Sequence, residues 1–301
     1  MEQFVIETRG LTKKFNKFAA VKDLNLRVPK GALYGFLGPN GAGKSTTIRL
    51  LLGLIKPTKG TIHLFNQDLT KHRLEILSRV GSIVEAPSYY EHLTAYENLE
   101  ITRKILQLPK NEIDKALEIV KLSKWKNQRV KNFSLGMKQR LGIAQFLMGN
   151  RELLILDEPT NGLDPAGVRE IRELIISLPE MMNATVLISS HILNEVELIT
   201  DHVGIIHRGK LLFQGTLAEL KARGRNEIVI KANPLHKAAE FLKGKGYAVA
   251  IKGDKLCLPG RNINLEALNR ELVLSGFGVY HLSASLGNLE DIFLQLTGEV
   301  D

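Results

Sequence analysis

"ALYGFLGPNGAGKSTTIRLLLGLI", residues 32–55, joins an apolar run, a glycine-rich turn and an amphipathic run without interruption. "ALYGFLG" is short, uncharged and apolar, as a buried strand is, while "KSTTIRLLLGLI" carries its apolar residues at helical spacing. Between them Gly38, Gly43, Lys44 and Ser45 stand at P-loop spacing, with Pro39, Asn40, Gly41 and Ala42 filling the turn and Thr46 following it. Glycines let backbone N–H groups close around phosphate oxygens, and a helix N-terminus adds positive potential. Lys44 reaches the outer phosphates, and Ser45 offers a hydroxyl to Mg²⁺. A glycine-rich turn with no ligand is the plain alternative, and the strand and helix on its two sides argue against it. The ligand implied is a nucleotide.

Outward from this stretch, short β-rich runs alternate with helical patterns: "LLILDEP" precedes "GVREIRELIISL", and "TVLISS" precedes "ILNEVELIT". Such alternation predicts an α/β architecture with a mainly parallel sheet. From about residue 92 to 150 no strand is expected. There Leu99, Ile101, Ile105, Leu108, Ile113, Leu117, Val120 and Leu122 recur at helical spacing, which predicts a helical subdomain inserted into the α/β core. The basic, Gly-punctuated "LKARGRN" reads as a linker closing a first domain at residues 1–225. Residues 226–301 then follow a βαββαβ order with a closing helix "NLEDIFLQLTG", which predicts a small ferredoxin-like α+β domain.

Composition excludes several classes. With 44% hydrophobic and 24% charged residues over 301 positions, the chain is globular, with enough material for one large or two modest cores. A single cysteine, Cys257, allows neither an internal disulfide nor a cysteine-based zinc site, and fits a reducing cytoplasm. "MEQFVIETRG" lacks the basic-then-apolar pattern of a secretory signal, and the longest apolar runs fall far short of the roughly 20 residues that span a bilayer. The net charge of +9 is concentrated over residues 103–131, where nine basic residues face three acidic ones. That stretch reads either as a solvated helix face or as attraction toward an anionic surface.

Two further segments carry chemistry. In "LLILDEP" four apolar residues form a strand buried on both faces, and Asp157 at its end can hold Mg²⁺ through water. Glu158 follows in the loop, suited to act as the general base that polarises water for attack on the γ-phosphate. "FSLGMKQRL", residues 133–141, puts Ser134 and Gly136 at the start of a helix, a second anion-binding N-terminus in the same chain.

"GPNGAGKST", "FSLGMKQRL", "LLILDEP", "NGLD" and "SSH", in this order and spacing, resemble the ATP-binding subunit of an ABC transporter over residues 1 to about 225. The resemblance implies ATP and Mg²⁺ as cofactors and ATP hydrolysis as the activity. It also implies a head-to-tail homodimer or heterodimer, in which the Ser134 motif of one chain closes over ATP on the P-loop of the other. The partner implied is a separate transmembrane permease, which would hold the protein at the cytoplasmic face of the membrane. Phe15, with Val21 in the same "LTKKFNKFAAV" segment, sits where the family stacks adenine. His191 sits where the family contacts the γ-phosphate, and Asp164 where it couples the two sites.

The chain departs from the family at Leu135 and Met137, which replace glycine and glutamine, whereas Ser134 and Gly136 are retained. It departs further at Glu85, where the family usually has a glutamine that senses Mg²⁺ and the attacking water. Glutamate there, with the tail "SLGNLEDIFLQLTG", is similar to bacitracin and lantibiotic resistance or immunity exporters of the ABC-2 type. Facing inward, Glu85 would act on Mg²⁺; facing outward, it would pair with the permease, with Tyr89 and Tyr90 as amphipathic contacts. A soluble ABC ATPase acting on ribosomes or DNA is the alternative. One P-loop and no sustained heptads speak against it, so nucleic acid is not expected as a partner. A third reading is a nucleotide-binding regulatory module with the C-terminal domain as sensor.

Overall fold

A computed structural model describes residues 3–84, 88–223, 227–259, 263–285 and 289–297. The chain forms two compact units, Met1–Leu217 and Ala218–Asp301, dividing ahead of the "LKARGRN" segment. The first unit opens with β1 (Phe4–Phe15), β2 (Phe18–Leu24), β3 (Arg27–Pro29), β4 (Leu33–Leu37) and α1 (Lys44–Leu51). It continues through β5 (Lys59–Leu64), β6 (Gln67–Asp68), α2 (Arg73–Ser78) and β7 (Val80–Ile83) into the helices α3 (Ala95–Ile105), α4 (Asn111–Ile119) and α5 (Leu135–Leu147). After these come β8 (Leu153–Asp157), α6 (Pro165–Met182), β9 (Thr185–Ser190), α7 (Leu193–Glu197), β10 (His202–His207) and β11 (Lys210–Thr216).

A six-stranded sheet in the order β11-β10-β4-β9-β8-β7 forms the centre of this unit. Its strands run parallel except β11, which closes one edge antiparallel. Every residue of β4, β8 and β9 is buried, which is why these segments read as near-continuous apolar runs instead of alternating ones. A smaller antiparallel sheet, β2-β1-β5-β6 with β3 on β1, lies in the same core. Ile48, Leu50 and Leu51 of α1 are fully buried among residues of both sheets, Ile6, Phe36, Leu64 and Ile155 included, so packing fixes the helix that follows the P-loop.

The segment expected to be helical is built from α3, α4 and α5, and within it the described residues form one isolated bridge, Thr94 to Arg129. Its start is set by a capping box: Thr94 Oγ1 accepts from the Glu97 N–H at 3.1 Å, while Glu97 accepts from the Thr94 N–H at 2.7 Å. Leu99, Ile113, Leu117, Val120 and Leu122 are buried as the periodicity requires. Ile105 is not: as the last residue of α3 it is 74% exposed, past the packed face.

In the second unit, α8 (Leu217–Ala222) begins at the division, followed by β12 (Glu227–Asn233), α9 (Leu235–Gly244), β13 (Ala250–Lys252) and β14 (Lys255–Pro259). The chain then forms α10 (Leu265–Leu274), β15 (Gly278–Ser285) and α11 (Leu289–Thr297). The sheet order β13-β14-β12-β15 is antiparallel throughout. Ile228, Ile230 and Ala232 of β12 alternate along one face and share a core with Leu256 and Leu258 of β14, Ala238 and Leu242 of α9, and Leu268 and Leu272 of α10. Both helices thus cover the same sheet face, the ferredoxin-like arrangement. Leu242 is fully buried in this core, so Leu242→Ala is expected to cost about 2–5 kcal/mol, read as a lowered urea midpoint by far-ultraviolet circular dichroism.

Candidate functional site

Helix α1 opens on Gly43 at φ 112°, its first turn holds no acidic residue, and no side chain caps it. The N–H groups of that turn are therefore available to an anion. A Cβ on Gly43 would stand 2.5 Å from the Ala20 carbonyl oxygen, and one on Gly38 would stand 2.3 Å from that of Ile206. Backbone from β2 and β10 thus presses on the loop at both ends, and only glycine fits. Over the loop lies a cleft of about 500 Å³. Of the residues singled out in the sequence, Phe15, Pro39, Asn40, Gly41, Gly43, Lys44, Ser45, Thr46, Glu158 and His191 line it. Gly38 and Ala42 are buried and do not line it.

Glu158 and His191, which directly follow β8 and β9, give the cleft a polar wall, whereas Asp157, the last residue of β8, is buried and does not line it. The register of the two strands sets Asp157 beside Ser189. Ser189 Oγ donates to Asp157 Oδ1 at 2.5 Å and accepts from the Glu158 N–H at 3.0 Å. Glu158 itself has φ 49°, a left-handed backbone that few residues with a Cβ adopt. Its carboxylate is held from two sides, with Oε1 3.2 Å from Lys44 Nζ and Oε2 2.9 Å from His191 Nδ1. Lys44 is only 6% exposed, and its ammonium also donates to the Gly38 carbonyl at 2.7 Å, so its charge is compensated where it sits. Ser45 and Asp157 supply a hydroxyl and a carboxylate, the hard oxygen donors that Mg²⁺ takes. Among the described residues no group of three or more His, Cys, Asp or Glu could hold a metal ion.

Other expected residues fall elsewhere. Val21 is fully buried in the core, and Ala20 and Phe18 border the cleft in its place, because successive side chains of β2 point to opposite sides. Ser134 caps α5, its Oγ accepting from the Met137 N–H at 3.2 Å, and Ser134, Gly136 and Met137 do not line this cleft. A Cβ on Gly136 would meet nothing nearer than Ser134 Oγ at 4.0 Å, so packing within this chain does not require glycine there. Asp164 caps α6, accepting from the Gly167 N–H at 3.2 Å, and Asn161 borders the cleft instead. Glu85 lies outside the described residues. Tyr89, expected as an outward contact, donates its hydroxyl to the Lys138 carbonyl of α5, and burial raises its phenol pKa; Tyr90 is 57% exposed.

A P-loop, an acidic strand end beside it and a capped second helix N-terminus together define an ATP-binding cassette. A model of the ABC transporter family matches residues 21–161. Bacitracin transport ATP-binding protein BcrA of Bacillus licheniformis is 47% identical over 98% of this chain and 97% of its own length. Lantibiotic transport ATP-binding protein SrtF of Streptococcus pyogenes is 42% identical over 70% of this chain and 90% of its own length. Among solved structures, CbiO1 of Clostridium perfringens, part of an ABC transporter complex, matches with a TM-score of 0.67 at 28% identity, covering 74% of this chain and 92% of that one. The chain belongs to the ATP-binding proteins of the ABC transporter family. Gly43→Ala forces backbone strain of about 1–3 kcal/mol onto the phosphate loop. The expected result is a loss of ATP affinity of roughly tenfold or more, read by titration with a fluorescent ATP analogue.

Proposed function

We propose that this ABC ATPase is the motor of an exporter for an antimicrobial peptide of the bacitracin type. It works as a head-to-tail pair of ATPase subunits on a separate permease at the cytoplasmic face of the membrane. Glu158 is the general base and Lys44 the phosphate ligand. When bound, Mg²⁺ supplies charge neutralisation of the phosphates, and Ser45 and, through water, Asp157 would hold it.

The observation that carries the reading is the position of Glu158 between Lys44 and His191. The Lys44 ammonium and His191 hold the two oxygens of this carboxylate, one each. Entering phosphates compete for the same ammonium, and as Lys44 turns to them one partner of Glu158 is withdrawn. That carboxylate oxygen is thereby left open to a water molecule as ATP becomes seated. His191 keeps its other oxygen oriented. Access of water to the carboxylate is in this way linked to nucleotide occupancy through a single lysine.

The cargo assignment is supported by coverage. The match to the bacitracin relative extends over 98% of this chain, and the match to the lantibiotic relative over 70%. A permease partner is supported by family membership, and none of the described helices is long and apolar enough to cross a membrane.

Glu158→Gln is expected to lower ATP hydrolysis by about 10²–10⁴-fold and to leave an ATP-bound dimer stable in light scattering. Hydrolysis at the parent rate would remove Glu158 from the base role. Gly136→Ala is expected to leave ATP affinity of the single subunit and its melting temperature at parent values while reducing hydrolysis, because the glycine serves close approach across the pair. Cells lacking the chain are expected to become more sensitive to bacitracin in a growth assay.

A further inference from the structure

Ser189 is fully buried and lies at the end of β9, next to Ser190. The two serines have separate tasks. Ser190 Oγ accepts from the Ile192 N–H at 3.0 Å and holds the turn that leads into α7. Ser189 points to the other side of the strand, where its hydroxyl touches the two acidic positions at once.

A hydroxyl has one proton, and Ser189 commits it to Asp157 Oδ1. That bond takes one acceptor site of Oδ1 and restrains rotation of the carboxylate, so Oδ2 is the more open oxygen. The lone pair accepts from the Glu158 N–H, where the backbone sits at φ 49°. One side chain therefore contacts both the carboxylate of Asp157 and the backbone position from which Glu158 projects. Asp157 is only 9% exposed, so loss of its donor would leave a buried acceptor that water cannot readily satisfy.

We propose that Ser189 is a positioning residue that presents Asp157 to Mg²⁺ and holds Glu158 in its left-handed backbone. This rests on the reading of Asp157 as the metal-binding carboxylate. Outer-shell hydrogen bonds of this kind contribute about 10–100-fold to metal affinity or activity. The hydroxyl, and not the size of the side chain, carries the effect.

The test uses the full chain and reads metal binding apart from hydrolysis. Mn²⁺ is titrated by electron paramagnetic resonance in the presence of a non-hydrolysable ATP analogue, and affinity for the analogue is measured in EDTA. Ser189→Ala is expected to weaken Mn²⁺ binding about 10–100-fold with parental affinity in EDTA, and Ser189→Thr, which keeps the hydroxyl, to recover most of the loss. Parental Mn²⁺ affinity in Ser189→Ala, with or without a lower melting temperature, would overturn the proposal and reduce Ser189 to packing. Equal losses in Ser189→Ala and Ser189→Thr would also overturn it, since the hydroxyl would then not be the cause. The readout needs no turnover, so a failure here is distinct from a failure of Glu158 as base.

Discussion

Asp157 on β8, Ser189 on β9 and Phe36 on β4 lie side by side in one parallel register, and the cleft depends on that alignment. The strands are buried along their whole length, so apolar packing sets the register, and a slip of one residue would turn every side chain to the other face. The polar residues are confined to the strand ends. There the sheet delivers a phosphate loop from β4, two carboxylates from β8 and a serine pair with a histidine from β9 to one edge. Ligand sites of open α/β sheets form at the carboxyl ends of strands for this reason.

Charge at that edge is balanced, not accumulated. Lys44 would be costly in isolation, yet it meets the Gly38 carbonyl and Glu158, and Glu158 in turn meets His191. The acceptors around Lys44, a carbonyl and a carboxylate, are contacts that phosphate oxygens can take over. The strained backbone of Glu158 is retained because the Ser189 hydroxyl ties its N–H down. Strain and charge pairing meet at the residue that the proposed chemistry uses.

The helical segment and the second unit are organised by different devices. Capping by Thr94, Ser134 and Asp164 sets where α3, α5 and α6 begin, and in each case a short side chain satisfies an otherwise open backbone donor. In α5 the cap orders the turn that carries Gly136, at which no atom of this chain crowds a Cβ. The second unit has its own apolar core, built on one face of its sheet.

The P-loop was legible because its parts are contiguous: strand, glycines, lysine and helix fall in one stretch, and local sterics demand that order. The buried strands and the helical segment were legible from apolar runs and periodicity, while Ile105 misled because periodicity does not say where a helix ends. Val21 was assigned to the cleft and Ala20 borders it, since a segment can be placed by motif while the facing of its residues depends on how the strand lies. Ser189 went unassigned because its partners, Asp157 and Glu158, stand 32 and 31 positions away in the chain. What the sequence determined by itself is the set of local elements and the presence of a nucleotide loop, for which neighbouring residues suffice. What only the tertiary structure decided is which acid, lysine and hydroxyl share atoms at the cleft, because strand register, set by packing over the whole sheet, brings distant residues within hydrogen-bond reach.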